Sequence, residues 1–203
     1  MEIINCDQGS DIWFSERLGS IGGSSIASVV AGGQGKTRLQ LLYRLAGEIL
    51  SGVKYEGYKN ADMERGLEQE SEARDVYAMV KEVEVEQVGL VKESAHKHYS
   101  PDGLLSNGWD GILEIKCTIP SVHIETILHN EIPAAYRKQC QWGLHICQRE
   151  YVDFVSYSPL ITDNPILILR RGRDEKLIKE LDEGADKFIL ELAQVVRKVK
   201  EGK

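Results

Sequence analysis

The run GILEIKC at residues 111–117 constrains the fold more than any other segment of the chain. Its side chains alternate as in a β-strand, so Ile112, Glu114 and Lys116 share one face. The run is too apolar for an edge strand that is merely solvated. Charges inside such a strand point to an interior site.

The surrounding pattern supplies layers for a sheet of this kind. Leu39, Leu42, Leu45 and Ile49 recur at helical spacing between Thr37 and about Ser51. Residues 60–81 form a second, strongly charged helical stretch in which Leu67, Ala73, Val76 and Tyr77 partly share one face. Upstream, Ser24 or Ser25 of SIGGSSIASVV is placed to cap a short helix. The period then changes. VEVEQVGLVK at 83–92 alternates as a single strand, and SPDG at 100–103 carries a turn signal. Helical patterns return at 121–130 and 134–148, broken near Pro133. YVDFVSYS (151–158) and ILILRR (166–171) read as strands, and Asp174 to about Lys200 as a long amphipathic helix packed across the sheet. The expectation is an α/β (α+β) fold, a central mixed β-sheet flanked by helices, in one domain spanning residues 1–203.

Composition narrows function only at its edges. A formal charge of −7 argues against a protein that simply coats nucleic acid, but leaves room for an enzyme with a local basic groove. The four cysteines, Cys6, Cys117, Cys140 and Cys147, are scattered without a CxxC pair. Read with a start that lacks the features of a signal peptide, they suggest reduced thiols in the cytoplasm and no zinc site. No apolar run approaches the roughly 18 residues of a membrane span.

The chemistry-bearing constellation is Asp102, Glu114 and Lys116. Glu and Lys at i and i+2 on a strand project from one face about 7 Å apart, and an Asp from the adjacent hairpin arm can converge on them. Two carboxylates plus the Ile115 carbonyl are the hard oxygen donors that Mg²⁺ prefers, and Mn²⁺ accepts the same set. A cation there lowers the pKa of a bound water and neutralises charge on a phosphate. Lys116 can orient or deprotonate that water, or stabilise the transition state. The bland alternative is a plain hairpin turn beside a solvated strand face. Glu68, Glu70 or Glu72 of RGLEQESEARDVY could add a ligand or a supporting partner, and Gln139 and Gln141 could reach the site from one helix. Taken alone, these groups read as solvated or core-edge polar residues.

Together with W-x3-R-L-G at 13–19, the serine of IGGSS, G-x3-E-x3-R at 66–74, SPDG, LEIKC, AY-x2-Q-x-Q at 136–141 and Y-x-P at 157–159, the chain resembles the phage lambda exonuclease or YqaJ-type viral recombinase nucleases, with the restriction-endonuclease-like PD-(D/E)xK core. The resemblance implies that Asp102, Glu114 and the Ile115 carbonyl bind Mg²⁺, with two ions per site, and that Lys116 is catalytic. It implies that Glu70 is the helix-borne acid near the metals and that Gln139 helps to position the attacking water. Arg17, Ser24 and Ser100 match a pocket for the 5′-phosphate of a DNA end. Such enzymes are ring-shaped homotrimers that degrade one strand of linear duplex DNA 5′→3′. The 3′ overhang that remains is loaded by a single-strand annealing protein for recombination. Asp110, in a connection unlike the family's, is a competing acid; the SPDG context favours Asp102.

GGQGKT at 32–37 resembles the end of a phosphate-binding loop, but Val30 stands where that motif needs glycine. The stretch reads instead as a loop that touches DNA through Lys36 and Arg38. A PD-(D/E)xK endonuclease, or a structure-specific or single-strand nuclease in repair, would share the metal centre and lack the 5′-phosphate pocket. A DNA-binding relic would have lost one of the three central residues. His96 and His98 alternate and are expected on an exposed strand face.

Overall fold

The computed structural model describes residues 1–31, 35–54, 61–105 and 110–202, without the side chains of 61–65 and 67. The elements run β1 (Glu2–Ile4), α1 (Asp11–Ser15), α2 (Gly23–Val29), α3 (Lys36–Ser51), α4 (Ala61–Lys81), β2 (Val85–Glu86), β3 (Leu90–Ser94), β4 (Lys97–Tyr99) and β5 (Gly103–Leu105). They continue with β6 (Gly111–Cys117), α5 (Pro120–His129), α6 (Ala134–Ile146), β7 (Tyr151–Tyr157), β8 (Ile166–Gly172) and α7 (Glu175–Lys200).

The main sheet has the order β2-β5-β6-β7-β8. β6 and β7 run parallel, joined through α5 and α6, while the other neighbours are antiparallel. The mixed sheet and its helical layers are therefore as expected. GILEIKC is its middle strand, and its alternation sorts side chains between two cores. Ile112 packs with Val152, Phe154 and residues of α2, α3, α6 and α7. Leu113 and Ile115 face the other way, onto Ala73 and Tyr77 of α4. Burying a side chain of this size contributes roughly 1.5–3 kcal/mol each.

A smaller sheet, β1-β3-β4, accounts for the departures from the sequence pattern. The expected single strand at 83–92 is two strands in two sheets, β2 in the main sheet and β3 in the small one. The chain crosses between them at Gly89, where a Cβ would lie 2.4 Å from Cys6 Sγ. β1 had no signal in the sequence beyond its three residues, which pair with β3. SPDG is not a hairpin turn: it carries the chain from β4 to β5. Asp102 N already donates to Leu113 O of β6 at 3.1 Å, so extended pairing begins there. The hairpin connection at residues 106–109, Trp109 included, lies outside the described residues.

The helices need fewer corrections. The N-cap of α2 is Gly22 rather than either serine, and Ser25 reaches back to the Gly22 N–H at 3.2 Å. The apolar stripe of α7 (Ile178, Leu181, Ala185, Phe188, Leu192) meets α2, α3 and α6 instead of lying directly across the sheet. Asp174 caps it by accepting from Leu177 N at 3.0 Å. Arg38 lies in the first turn of α3 rather than in a loop and gives both terminal nitrogens to Glu191 of α7 at 2.8 Å. Lys36 is exposed, and residues 32–34 of the glycine-rich stretch lie outside the described residues. No described helix is long and apolar enough to cross a membrane.

Candidate active site at the open edge of the middle strand

β5 pairs with β6 only as far as Leu113. Beyond that residue the β5 side of β6 is open, and Asp102 fills the gap: its Oδ2 accepts from Ile115 N at 2.5 Å. N–H and C=O of one strand residue leave the same edge, so the Ile115 carbonyl projects towards the same side. Glu114, 1% exposed, lies on the opposite face from Leu113 and Ile115. Its Oε1 accepts from Lys116 Nζ and from Gln139 Nε2 of α6, and its Oε2 accepts from the Tyr99 hydroxyl of β4. Lys116 also stands 5.3 Å from the Tyr136 ring centroid. Glu70 of α4 joins through Arg74, which donates to Glu70 Oε1 at 2.5 Å and to the Asp102 carbonyl at 2.8 Å.

Electrostatically this is a group of acids short of positive charge. Burial raises the Asp102 pKa well above its ordinary value, and the charges of Glu114 and Glu70 add to the rise. Glu70 is raised too, again first by burial, with Glu114 contributing against Arg74 and Lys116. Burial pulls Lys116 down, but Glu114 and Asp102 outweigh it and raise its pKa. The donors available are carboxylate and carbonyl oxygens, which suit a small hard divalent cation. Mutual repulsion among the acids is what such a cation would relieve.

The other expected residues divide. Gln141 turns away, bonding Gly172 O and Asp174 N where β8 meets α7. Glu72 is tied to the Tyr157 hydroxyl, and Glu68 is exposed. Asp110 pairs with Arg149 at 2.8 Å before the start of β6, away from this group. Tyr99 and Arg74 went unassigned in the sequence. Tyr99 carried a signal only in its place before SPDG; its ring is gripped between Gly23 and Gly143, where a Cβ would come within 2.5 Å.

Arg17 and Ser24 line a second feature, a cavity of about 180 Å³ between α1, α2 and α3. The Arg17 guanidinium lies 3.6 Å from the Trp13 ring centroid, and its Nε donates to His98 Nε2 at 3.1 Å. Ser100 is not in the lining; its Oγ accepts from Trp13 Nε1 at 3.0 Å, so it bears on Arg17 through the indole. His98 is not on an exposed face, as alternation suggested, but 3% exposed beneath α2 and α6. Its Nδ1 meets Ser20 Oγ at 2.6 Å, and burial, then Arg17 and Lys92, depress its pKa to about 3. The ring is therefore neutral and accepts from Arg17. His96 lies half-buried in the turn between β3 and β4.

A third charged group lies elsewhere. Glu93, His145 and Asp182 offer ligand atoms within 4.8 Å of one another. The Lys97 ammonium already sits among these acids, 2.5 Å from Asp182, 2.7 Å from Asp186 and 3.5 Å from Glu93. It ties β4 to α7.

A mixed sheet flanked by helices, with an Asp, a Glu and a Lys meeting at the open edge of its middle strand, defines the PD-(D/E)xK nuclease class. The profile of the YqaJ-like viral recombinase domain matches residues 12–150, and the chain belongs to that family. The crystal structure of an alkaline exonuclease (LHK-Exo) from Laribacter hongkongensis is similar over 95% of this chain and 97% of that one, with 32% identity and a TM-score of 0.87. Its complex with dAMP gives the same coverage and identity and a TM-score of 0.88. A phage-related exonuclease from Haemophilus somnus shares the fold at 16% identity, covering 89% of this chain and 96% of that one, with a TM-score of 0.70. A search of curated proteins finds no match.

Proposed function

We propose that the chain is a Mg²⁺-dependent 5′→3′ exonuclease on linear duplex DNA, leaving 3′ overhangs for recombination by strand annealing. The observation that carries this reading is the meeting of Asp102, Glu114, Lys116 and Gln139 at one open strand edge, beside a separate cationic cavity lined by Arg17 and Ser24. Asp102, Glu114 and the Ile115 carbonyl would hold the cation, with Glu70 nearby for a second ion. When bound there, Mg²⁺, or Mn²⁺ in its place, lowers the pKa of water and offsets charge building on the scissile phosphate. Lys116, kept charged by Glu114 and Asp102, then donates to the attacking water or to the phosphate oxygens, and Gln139 orients that water by its amide. Tyr99 fixes the rotamer of Glu114, and Arg74 fixes Asp102 and Glu70 relative to each other.

Arg17, splayed on Trp13 and held by His98, points the rest of its guanidinium into the cavity, where with Ser24 it would bind a 5′-phosphate. Ser100 supports that role through Trp13. An exonuclease needs to recognise an end, whereas an endonuclease with the same metal centre has no use for this cavity. The complex of the alkaline exonuclease with dAMP fits the reading, because a nucleoside monophosphate is what end-digestion releases. A homotrimeric ring around DNA would supply processivity, and an annealing protein would take up the overhang.

The reading is tested on a linear duplex labelled separately at each terminus, alongside a covalently closed circle, in Mg²⁺. Release of 5′ mononucleotides, survival of the 3′ strands and an intact circle are expected. Cleavage of the circle would replace the exonuclease by an endonuclease, and no Mg²⁺-dependent cleavage of either would overturn the nuclease reading.

A further inference from the structure

α4 brings Glu70 and Arg74 to the β6 site, yet its hold on the sheet lies further along its length. Glu70, Ala73, Arg74 and Tyr77 share one stripe of the helix, at the i, i+3, i+4 and i+7 spacing of an inward face. Among the described side chains of α4 only Ala73 and Tyr77 are buried, both at 0% exposure. Ala73 offers a single methyl. The phase of the helix on the sheet therefore depends on the Tyr77 ring, which packs with Leu113, Ile115 and Val155.

That ring ends at a buried acid. The Tyr77 hydroxyl donates to Asp153 Oδ2 at 2.7 Å. Asp153 stands in the middle of β7, opposite Leu113 of β6 on one side and Arg170 of β8 on the other. It is fully buried, and Arg170 Nε and Nη2 donate to its two oxygens at 2.8 and 2.7 Å. The Arg170 guanidinium lies 3.8 Å from the Tyr151 ring centroid. Burial and then the bond to Asp153 raise the Tyr77 pKa, so the hydroxyl keeps its proton and stays the donor.

A buried ion pair seldom adds net stability over apolar residues of the same shape. What this one supplies is position. If α4 turned or slid by one residue, Tyr77 would leave an unpaired hydroxyl in an apolar layer and Asp153 would lose a donor, and both are costly. Glu70 lies seven residues before Tyr77, about 10 Å along the axis. Its carboxylate is placed by the helix that carries it and by Arg74, which bonds both Glu70 and the Asp102 carbonyl. We infer that Tyr77, held by Asp153, is a positioning residue for Glu70. The bond between them sets the phase of α4, and so the place of the Glu70 carboxylate beside Asp102 and Glu114. The inference rests on the metal centre proposed above, in which Glu70 serves a second ion. It adds a lock on the face of the sheet away from Glu114 and Lys116.

The test is calorimetric titration with Mn²⁺ alone, on the wild-type protein, Glu70→Gln, Tyr77→Phe and the double variant. The wild-type protein is expected to take up two ions, and Glu70→Gln to weaken one of the two steps. Tyr77→Phe keeps the ring and its packing. It should weaken that same step by about fivefold, the worth of one hydrogen bond, and leave the other step unchanged. In the Glu70→Gln background it should add nothing, because its effect runs through Glu70. Wild-type affinity in both steps of Tyr77→Phe overturns the inference while the metal centre stands. Equal weakening of both steps, or an effect that persists without Glu70, also overturns it, since a general loosening of the fold does the same. If the wild-type protein takes up a single ion, or Glu70→Gln weakens neither step, the reading of Glu70 falls and the inference with it.

Discussion

The open edge of β6 and the cavity beside Arg17 are opposite solutions to one chemical problem. At β6 the chain gathers Asp102, Glu114 and Glu70, and burial, with the neighbouring acids adding to it, raises the pKa of Asp102 and Glu70. At the cavity, among the described residues, it gathers Arg17, Arg44 and Lys54 beside Glu48. The first group wants a cation and the second an anion. The two are joined by a short piece of chain, since Tyr99 serves Glu114 while its neighbours His98 and Ser100 serve Arg17 and Trp13. A phosphate ester hydrolase that works from an end needs both kinds of site, and β4 with the SPDG link holds them in register.

That contrast can be broken by separating rate from end preference. Lys116→Ala should lower turnover about a thousandfold, in the range of a lost transition-state donor, on every kind of 5′ end. Equal loss on all ends, measured as initial rates, is the mark of the β6 site; loss confined to phosphorylated ends would move Lys116 into the other one.

The next effect concerns stability. The folded pKa of His98, about 3, lies below its ordinary 6.5, so the folded state rejects a proton that the unfolded chain accepts. The stability this gives is complete above pH 6.5 and is lost as pH falls from there towards 3, by up to about 5 kcal/mol. Urea unfolding across that window should show the loss in the wild-type protein and a flatter profile in His98→Gln. Identical slopes would mean that His98 is not the group responsible.

Smaller changes sharpen the comparison. Arg17→Ala should cost about thirtyfold on phosphorylated ends, the worth of a charge-assisted phosphate contact, and little on hydroxyl ends. Tyr99→Phe should cost about fivefold, within the worth of one hydrogen bond, and should alter Mn²⁺ affinity by calorimetry because it frees Glu114 Oε2. An unchanged affinity would make Tyr99 a packing residue alone.

The two regions also differed in how far the sequence disclosed them. The centre of the β6 site, Asp102, Glu114, Ile115 and Lys116, lies within residues 102–116, where alternation, an Asp before a hairpin and charges inside an apolar strand are local signals, while Glu70 and Gln139 come from α4 and α6. The cavity is assembled from α1, α2, α3 and β4, and its Arg17–His98 bond spans 81 residues. Arg17 and Ser24 came to notice through a family resemblance, and Arg44 and Glu48 not at all, because a helix ion pair looks the same in sequence whether it is solvated or buried. The misread strand at 83–92 has a related cause. Alternation continues through Gly89 while the chain changes sheets, and nothing local marks the crossing. His98 shows the limit of periodicity, which assigns a face but not what covers it.

The most direct measurement follows both regions on one molecule. It uses a linear duplex with a 5′-phosphate on one strand and a 5′-hydroxyl on the other, digested in Mg²⁺ by the wild-type, Lys116→Ala and Arg17→Ala proteins. The account predicts preferential loss of the phosphorylated strand, abolished by the first substitution and evened out by the second. Equal loss of both strands by the wild-type protein would contradict it.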